Sequence, residues 1–218
     1  MSKATATGGA VIAFRGKEPM IRSPLIEEVR GYWEALRDGR PAPARAEIDP
    51  RGIDRALGHM MLMDRIAPGH ARLRVAGQHL CDLMGMEVRG MPLGALLALP
   101  AREALATALQ TVFHGRCGVV LGLHAGWSLG TPAIDGQMLL LPLADRDGVL
   151  AHALGCIATT GTIGRAPRRF VITEVRHLPI MVTRRDEREP VLPVPALAEG
   201  PATYRPQRPA LHLVQTRN

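Results

Sequence analysis

Hydrophobic positions recur along the chain with two different periods, and the changes between these periods mark the elements. Over residues 23–39 apolar residues recur every three to four positions, which predicts an amphipathic helix. A period of two then predicts strands at 60–66 and 72–76. The turn sequence Ala67-Pro68-Gly69-His70 lies between these strands and predicts that they pair as a hairpin.

The rest of the pattern adds helices and then strands. A short helix is predicted at 80–85 and a longer one at 100–115, and strands follow at 117–124, 136–143 and 149–158. An antiparallel sheet with an apolar face requires other elements to cover that face. The order therefore predicts an α+β fold: a five-stranded antiparallel sheet with helices on one face, preceded by an N-terminal amphipathic helix.

The regular patterns define one domain with a tail on each side. Residues 23–162 carry the predicted elements, whereas residues 1–22 are predicted to be a flexible tail. Residues 163–218 are basic and rich in proline, which predicts a second tail that is mostly flexible. A weaker strand pattern at 170–175 leaves one further strand open.

The net charge of +7 is concentrated in the tails. Residues 1–22 carry four basic residues against one acid, and residues 165–218 carry ten arginines against five acids. The segment between them, 23–164, has thirteen basic residues against fourteen acids. Nucleic-acid binding usually requires a basic face on a fold. This distribution argues against it, and binding of nucleic acid through the basic tails stays an alternative.

Several features predict a cytoplasmic bacterial protein. No apolar run approaches the ~20 residues of a membrane span, and the N-terminus lacks the pattern of a secretory signal. Arginine outnumbers lysine 25 to 2, which is typical of a GC-rich bacterial genome. Cys81, Cys117 and Cys156 fit neither a zinc site nor a disulfide framework, so we expect reduced thiols and no metal.

The element order resembles that of the PAS domain, a small sensor fold of bacterial signalling proteins. More narrowly, it resembles an alphaproteobacterial PAS-like family long catalogued as a domain of unknown function. The resemblance covers about residues 24–160. It rests on these residues: Tyr32-Trp33, Leu36, Gly39-Arg40, Pro43, Ile48-Asp49-Pro50, Arg72, Val75-Ala76-Gly77, 80–85 and Gly90. It implies a cavity between sheet and helices, dimerisation through flanking helices, and a signalling role exercised through partner proteins.

A small-molecule pocket is the first functional hypothesis, because methionines cluster in the segments that would line such a cavity. Methionine adapts its shape to a ligand, and it also fills an irregular core, so both interpretations stay open. The candidate pocket residues are Met63, Val75, Gln78, His79, Leu83, Met84, Leu109, Phe113, Leu121 and Met138.

The apolar stripe of the first helix is the second hypothesis, as the interface of a homodimer. Large aromatic residues favour interfaces, and packing of the same stripe on the chain's own sheet is an equal alternative. The candidate interface residues are Leu25, Val29, Tyr32, Trp33 and Leu36.

Catalysis finds little support. Residues 126–130 match the G-x-S-x-G pattern of a nucleophile elbow, but Thr131-Pro132 follows where a helix should begin. Haem would require an imidazole that faces the cavity, for which His79, His114, His124 and His152 are candidates. Flavin would require a reactive cysteine in an amide-rich pocket, and the folded region has Gln78, Gln110 and Gln137 as its amides. We therefore expect no enzyme activity and assign no cofactor, with haem and flavin left open.

Together these patterns predict a non-catalytic regulatory protein that binds a small ligand, a signalling protein partner, or both. The alternative within the same class is an adaptor whose core is filled and which binds no ligand.

Overall fold

A six-stranded antiparallel sheet forms the centre of the computed structural model, which describes residues 23–115 and 117–183. The spatial order of the strands is β2-β1-β5-β4-β3-β6. Their bounds are β1 Met60–Ala67, β2 His70–Ala76, β3 Cys117–Ala125, β4 Ile134–Leu143, β5 His152–Thr160 and β6 Val171–Pro179.

The sixth strand corrects the expected count of five. β6 pairs antiparallel with β3 along the edge of the sheet, and its residues alternate between exposed and partly buried. It lies in the segment expected to be a mostly flexible tail, so that expectation is wrong for residues 171–179. The predicted tail at 1–22 and the remainder from 184 onward lie outside the described residues.

One face of the sheet is covered by the helices from the middle of the chain, as the pattern predicts. These are α2, Gln78–Met84, and α3, Arg102–Phe113. α3 buries Leu105, Leu109 and Val112, which recur at helical spacing against the sheet. We call the apolar layer between this face and α2 and α3 the helix-side core.

The opposite face is covered by α1, Pro24–Arg37, and by a kinked 3-10 segment, Pro50–His59. α1 packs its apolar stripe on the central strands β4 and β5. These two strands are covered on both faces, which explains why they are almost continuously apolar. We call this second layer the α1-side core.

Candidate functional site

Seven of the ten candidate pocket residues lie together in the helix-side core. Each has at most 5% of its surface exposed. They are Met63, Leu83, Met84, Leu109, Phe113, Leu121 and Met138. The structure therefore brings together an apolar, methionine-rich region between the sheet and the helices.

The other three candidates, Val75, Gln78 and His79, lie elsewhere. Val75 and Gln78 are exposed and line a surface groove of about 310 Å³. We call it the β1–β2 groove. Its lining residues are Ile48, Pro50, Ile53, Leu57, Gly58, Met60, Met61, Leu62, Val75, Ala76, Gly77 and Gln78.

A shift in the pairing of β1 with β2 explains the position of Val75. The period of two places Leu73 and Val75 on one face of the sheet. In the structure Leu73 lies opposite Met63, whereas Val75 lies opposite Leu62, and the register shifts between Leu62 and Met63. Consecutive residues of β1 face opposite sides of the sheet, so this irregularity separates Val75 from the helix-side core.

His79 forms a polar junction between α2, β5 and the 3-10 segment. Its Nε2 lies 3.0 Å from Thr159 Oγ1, and its ring centroid lies 4.3 Å from that of His59. Burial lowers the pKa of His79, and the charge of His59 lowers it further against the opposing effect of Asp82. His79 therefore favours its neutral form.

The histidines do not match a haem site, because each candidate imidazole is already bonded outside the helix-side core. His114 Nδ1 lies 2.6 Å from the carbonyl of Gln110 in its own helix. His124 Nδ1 lies 2.7 Å from Asp135 Oδ1, and His152 Nδ1 lies 2.8 Å from Asp64 Oδ1. His79 is held by Thr159.

Asp64 has more side-chain partners than Asp135, the other carboxylate that is bonded to one of these histidines. It accepts hydrogen bonds from Arg74 on β2 and His152 on β5, and so links three strands. Burial alone would raise the pKa of Asp64, but the two hydrogen bonds outweigh burial and lower it. These partners give Asp64 a structural role in the sheet.

The polar residues also do not match a flavin site. Gln78 and Gln110 are exposed. Gln137 lies on the same face of β4 as Leu139 and Leu141, which belong to the α1-side core. The described part of the helix-side core therefore presents no amide to the polar edge of a flavin ring. Of the cysteines, Cys81 packs against the helix-side core and Cys156 lies in the α1-side core, so the mismatch rests on the amides.

The burial of Cys156 predicts selective labelling of the thiols. Burial raises the pKa of Cys156 to about 12, with a smaller contribution from Glu28, while Cys81 and Cys117 are partly exposed. Because the thiolate is the reactive form, Cys156 of the native protein should react with iodoacetamide more than about tenfold more slowly than Cys81. Peptide mass spectrometry after timed labelling measures both rates. Equal rates before the protein is denatured would contradict this placement of Cys156.

The G-x-S-x-G segment does not form a nucleophile elbow. It lies in the turn between β3 and β4, where Ser128 N donates to Thr131 O at 2.8 Å and Thr131 N donates to Ser128 O at 2.9 Å. A strand follows this turn, whereas an elbow requires a helix to follow the serine. The segment therefore does not give Ser128 the geometry of a catalytic nucleophile.

The five candidate interface residues lie on α1, and the two most buried of them pack within the chain. Val29 is fully buried and Trp33 is 2% exposed, both in the α1-side core. Leu25, Tyr32 and Leu36 are partly buried. The stripe thus packs on the chain's own sheet, which was the alternative to an interface. Homodimerisation stays a prediction.

Two buried arginines are structural residues that the sequence patterns did not reveal. Arg37 Nη1 donates to the carbonyls of Arg40 at 2.8 Å and Met181 at 2.9 Å, and its guanidinium also pairs with Glu34 and lies 5.5 Å from the Trp33 ring centroid. A second contact beside it joins Thr183 N to Gly39 O at 3.1 Å. Arg37 therefore ties the end of α1 to the segment that follows β6.

Arg168 is the second buried arginine, at 3% exposure. Its guanidinium donates to the carbonyls of Ile163 and Pro132, both at 2.7 Å, and of Ala125 at 3.4 Å. Ala125 and Pro132 lie on either side of the β3–β4 turn, so one side chain fixes both ends of that turn. An arginine on an apolar helix face, such as Arg37, is a weak sequence signal, and Arg168 has none.

The chain matches a family model described as a PAS domain over residues 21–158. Strands in the order β2-β1-β5-β4-β3, with helices between β2 and β3, have the arrangement of the PAS fold. The family model covers more than half of the chain, and the chain therefore belongs to the PAS domain family. Members of this family are generally sensory or regulatory modules and are typically non-catalytic.

Solved structures of light-oxygen-voltage (LOV) proteins are distantly similar. The light-state Aureochrome1 LOV structure has 14% identity and a TM-score of 0.38, and the match covers 51% of this chain and 88% of that one. A Rhodobacter sphaeroides LOV protein has 17% identity, a TM-score of 0.36, and coverages of 63% and 67%. An RNA-binding LOV receptor has 20% identity, a TM-score of 0.38, and coverages of 53% and 35%. Such values carry no information on ligand or chemistry.

No curated protein matches the chain. Among residues 23–115 and 117–183, no helix is long and apolar enough to cross a membrane. The same residues contain no group of three or more His, Cys, Asp or Glu side chains arranged to hold a metal ion.

Proposed function

We propose that this protein is a non-catalytic regulatory PAS module that responds to a small apolar or amphipathic ligand in its helix-side core. It passes the response to a partner protein through α1 and through the segment after β6, which Arg37 joins to α1. The cytoplasm of a bacterium as its location, and a homodimer as its assembly, are parts of the same proposal.

The observation that carries the proposal is the shared sheet between the two cores. Along β4, Met138 and Leu140 belong to the helix-side core, whereas Leu139 and Leu141 belong to the α1-side core. A ligand that displaces more side-chain volume than the methionine rotamers accommodate therefore moves strands on which α1 packs, because protein interiors are densely packed. Arg37 extends this connection from α1 to the segment after β6.

The side chains of the helix-side core favour a neutral, apolar ligand. Three of the seven candidates are methionines, which change rotamer readily and can open space for a guest. The seven residues include no charged or amide side chain, so an anionic or strongly polar ligand would lose its hydration without compensation. An adaptor with a permanently filled core is the alternative.

Native mass spectrometry of the freshly purified full chain, compared with its denatured mass, tests ligand binding. We expect extra mass in the native spectrum that is lost on denaturation, and no visible absorbance band. Met138→Leu keeps the volume and apolar character of the site but removes its adaptability, and should reduce ligand occupancy severalfold. Met181→Leu, at a 76% exposed position, is the matched control and should leave occupancy unchanged. A bare chain in every preparation would support the adaptor instead.

A further inference from the structure

The turn between β3 and β4 carries two large apolar side chains on its surface. Trp127 is 75% exposed and Leu129 is 88% exposed. Small residues, Gly126, Ser128 and Gly130, flank them, so little bulk surrounds the indole. We call residues 126–131 the β3–β4 tip. Tryptophan is one of the side chains that are enriched at the energetic hot spots of protein interfaces.

The β3–β4 tip is held in one conformation. Its backbone closes on itself through the paired bonds of Ser128 and Thr131, and Arg165 N donates to Gly130 O at 2.9 Å. Arg168 fixes Ala125 and Pro132 on either side of it. A rigid anchor loses little conformational freedom on binding, which favours insertion into a shaped pocket.

The β1–β2 groove is an apolar receptor of suitable character on the same molecule. Its lining residues carry no charged side chain, and two of them, Leu57 and Val75, are 44% and 45% exposed. Exposed apolar surface therefore occurs both on the projecting tip and in the groove. Trp127 and Leu129 lie on the tip, and Leu57 and Val75 line the groove.

The tip and the groove lie toward the same end of the sheet, on opposite sides of β5. β5 ends at Thr160, which pairs with Asp135 just after the tip. On its other side, β5 pairs with β1, where Cys156 lies opposite Met60, and Met60 lines the groove. A two-fold axis near the end of β5 can thus place each tip at the groove of the other copy, as an isologous dimer requires.

From this arrangement we propose that a second copy of the chain is the partner of both surfaces, with Trp127 of each protomer inserted into the β1–β2 groove of the other. The proposal rests on the homodimer of the proposed function and names its interface.

The charges around the two surfaces are compatible with this contact. The exposed Arg165 and Arg169 lie beside the tip, against one acid, the exposed Asp135, which follows the tip and pairs with His124. Around the groove, residues 49–55 and α2 contain three aspartates and two arginines. These are Asp49, Asp54, Asp82, Arg51 and Arg55. The tip surroundings therefore have a one-charge positive excess and the groove surroundings a one-charge negative excess, which favours association between them.

A membrane is a weaker occupant for the tip. A whole myristoyl chain gives only marginal, reversible membrane binding, and two side chains bury less apolar surface than such a chain. The fixed conformation of the tip also gives no advantage in a fluid bilayer, whereas it does in a shaped groove.

Sedimentation equilibrium of the full chain tests the interface. We expect a reversible dimer whose dissociation constant rises at least about tenfold in Trp127→Ala/Leu129→Ala and also in Val75→Glu. Because each variant damages a different half of the contact, an equimolar mixture should form a heterodimer that retains one intact tip and groove. Its dissociation constant should fall between those of the wild type and the variants. Native mass spectrometry distinguishes the heterodimer by mass.

Val149→Glu is the matched control, because Val149 is 58% exposed and lies in the β4–β5 turn, at the opposite end of the sheet. It should change the dissociation constant less than about twofold. A wild-type dimer that none of the variants weakens would overturn this interface and leave the homodimer intact. A wild-type monomer would overturn both, while ligand occupancy is measured separately. Trp127-dependent binding of a monomer to phosphatidylserine vesicles would assign the tip to a membrane and would also overturn the proposal.

Discussion

Replacement of Trp33 by alanine should lower the free energy of unfolding by about 3–5 kcal/mol, the usual range for removing a buried aromatic side chain. Trp33 is 2% exposed in the α1-side core, and its Nε1 donates to Pro142 O at 2.8 Å. Alanine would leave a cavity under α1 and remove the donor for a buried carbonyl. Urea unfolding, followed by circular dichroism, measures the change.

Trp127 supplies the control for this experiment because it is the other tryptophan of the chain and is 75% exposed. At a protein concentration well below the dimer dissociation constant, Trp127→Ala should change stability by less than about 0.5 kcal/mol. If Trp33→Ala instead weakened self-association in sedimentation and left stability unchanged, Trp33 would be an interface residue. The original α1 dimer hypothesis would then replace the packing described here.

Replacement of Arg168 by methionine should cost about 2–4 kcal/mol, because buried carbonyls that lose their donor each carry a desolvation penalty. Ile163, Pro132 and Ala125 all accept from this guanidinium. Methionine retains part of the side-chain packing, so the loss isolates the hydrogen bonds. Thermal unfolding measures the cost, and amide hydrogen exchange should show faster exchange confined first to the β3–β4 tip.

Arg169→Met is the neighbouring control, since Arg169 is exposed. It removes the same charge from the same segment and should change stability by less than about 0.5 kcal/mol. Equal destabilisation by both substitutions would mean that net charge, and not the buried bonds of Arg168, stabilises this part of the molecule.

The layers of the fold were predictable because period and burial are directly related. The five strands that the sequence predicts, and the helices that cover them, follow from apolar residues at spacings of two or of three to four. β6 was only weakly visible, because Glu174, Arg176 and His177 interrupt its apolar residues. A strand at the edge of a sheet tolerates such residues, since much of its surface faces water.

Pro142 shows how pairing can accommodate a residue that usually excludes a central strand. Proline within a strand usually indicates an edge strand or a bulge, and β4 lies between β5 and β3. β4 pairs with β3 only as far as Leu140, while Pro142 pairs with Ala153 on β5. Locally, β4 is therefore an edge on the side of β3, which agrees with what the proline indicates.

The candidate site was predicted in part, for a similar reason. Leu109 lies on the helix face that its helical spacing indicated, and Met138 lies in the helix-side core with the other candidate methionines. Val75 was misplaced by a register shift, which depends on the partner strand. The roles of Arg37 and Arg168 depend on carbonyls from distant segments, and these acceptors leave no trace in the local sequence.

The bond from Arg37 to Met181, with the bond from Thr183 to Gly39, makes two distant parts of the chain one cooperative unit. Neither the last turn of α1 nor the residues after β6 can open without breaking contacts of the other, so they share one local unfolding free energy. A force applied at residue 183 would therefore load the end of α1 before it reaches the sheet. The end of α1 and the segment after β6 thus act as one mechanical attachment point.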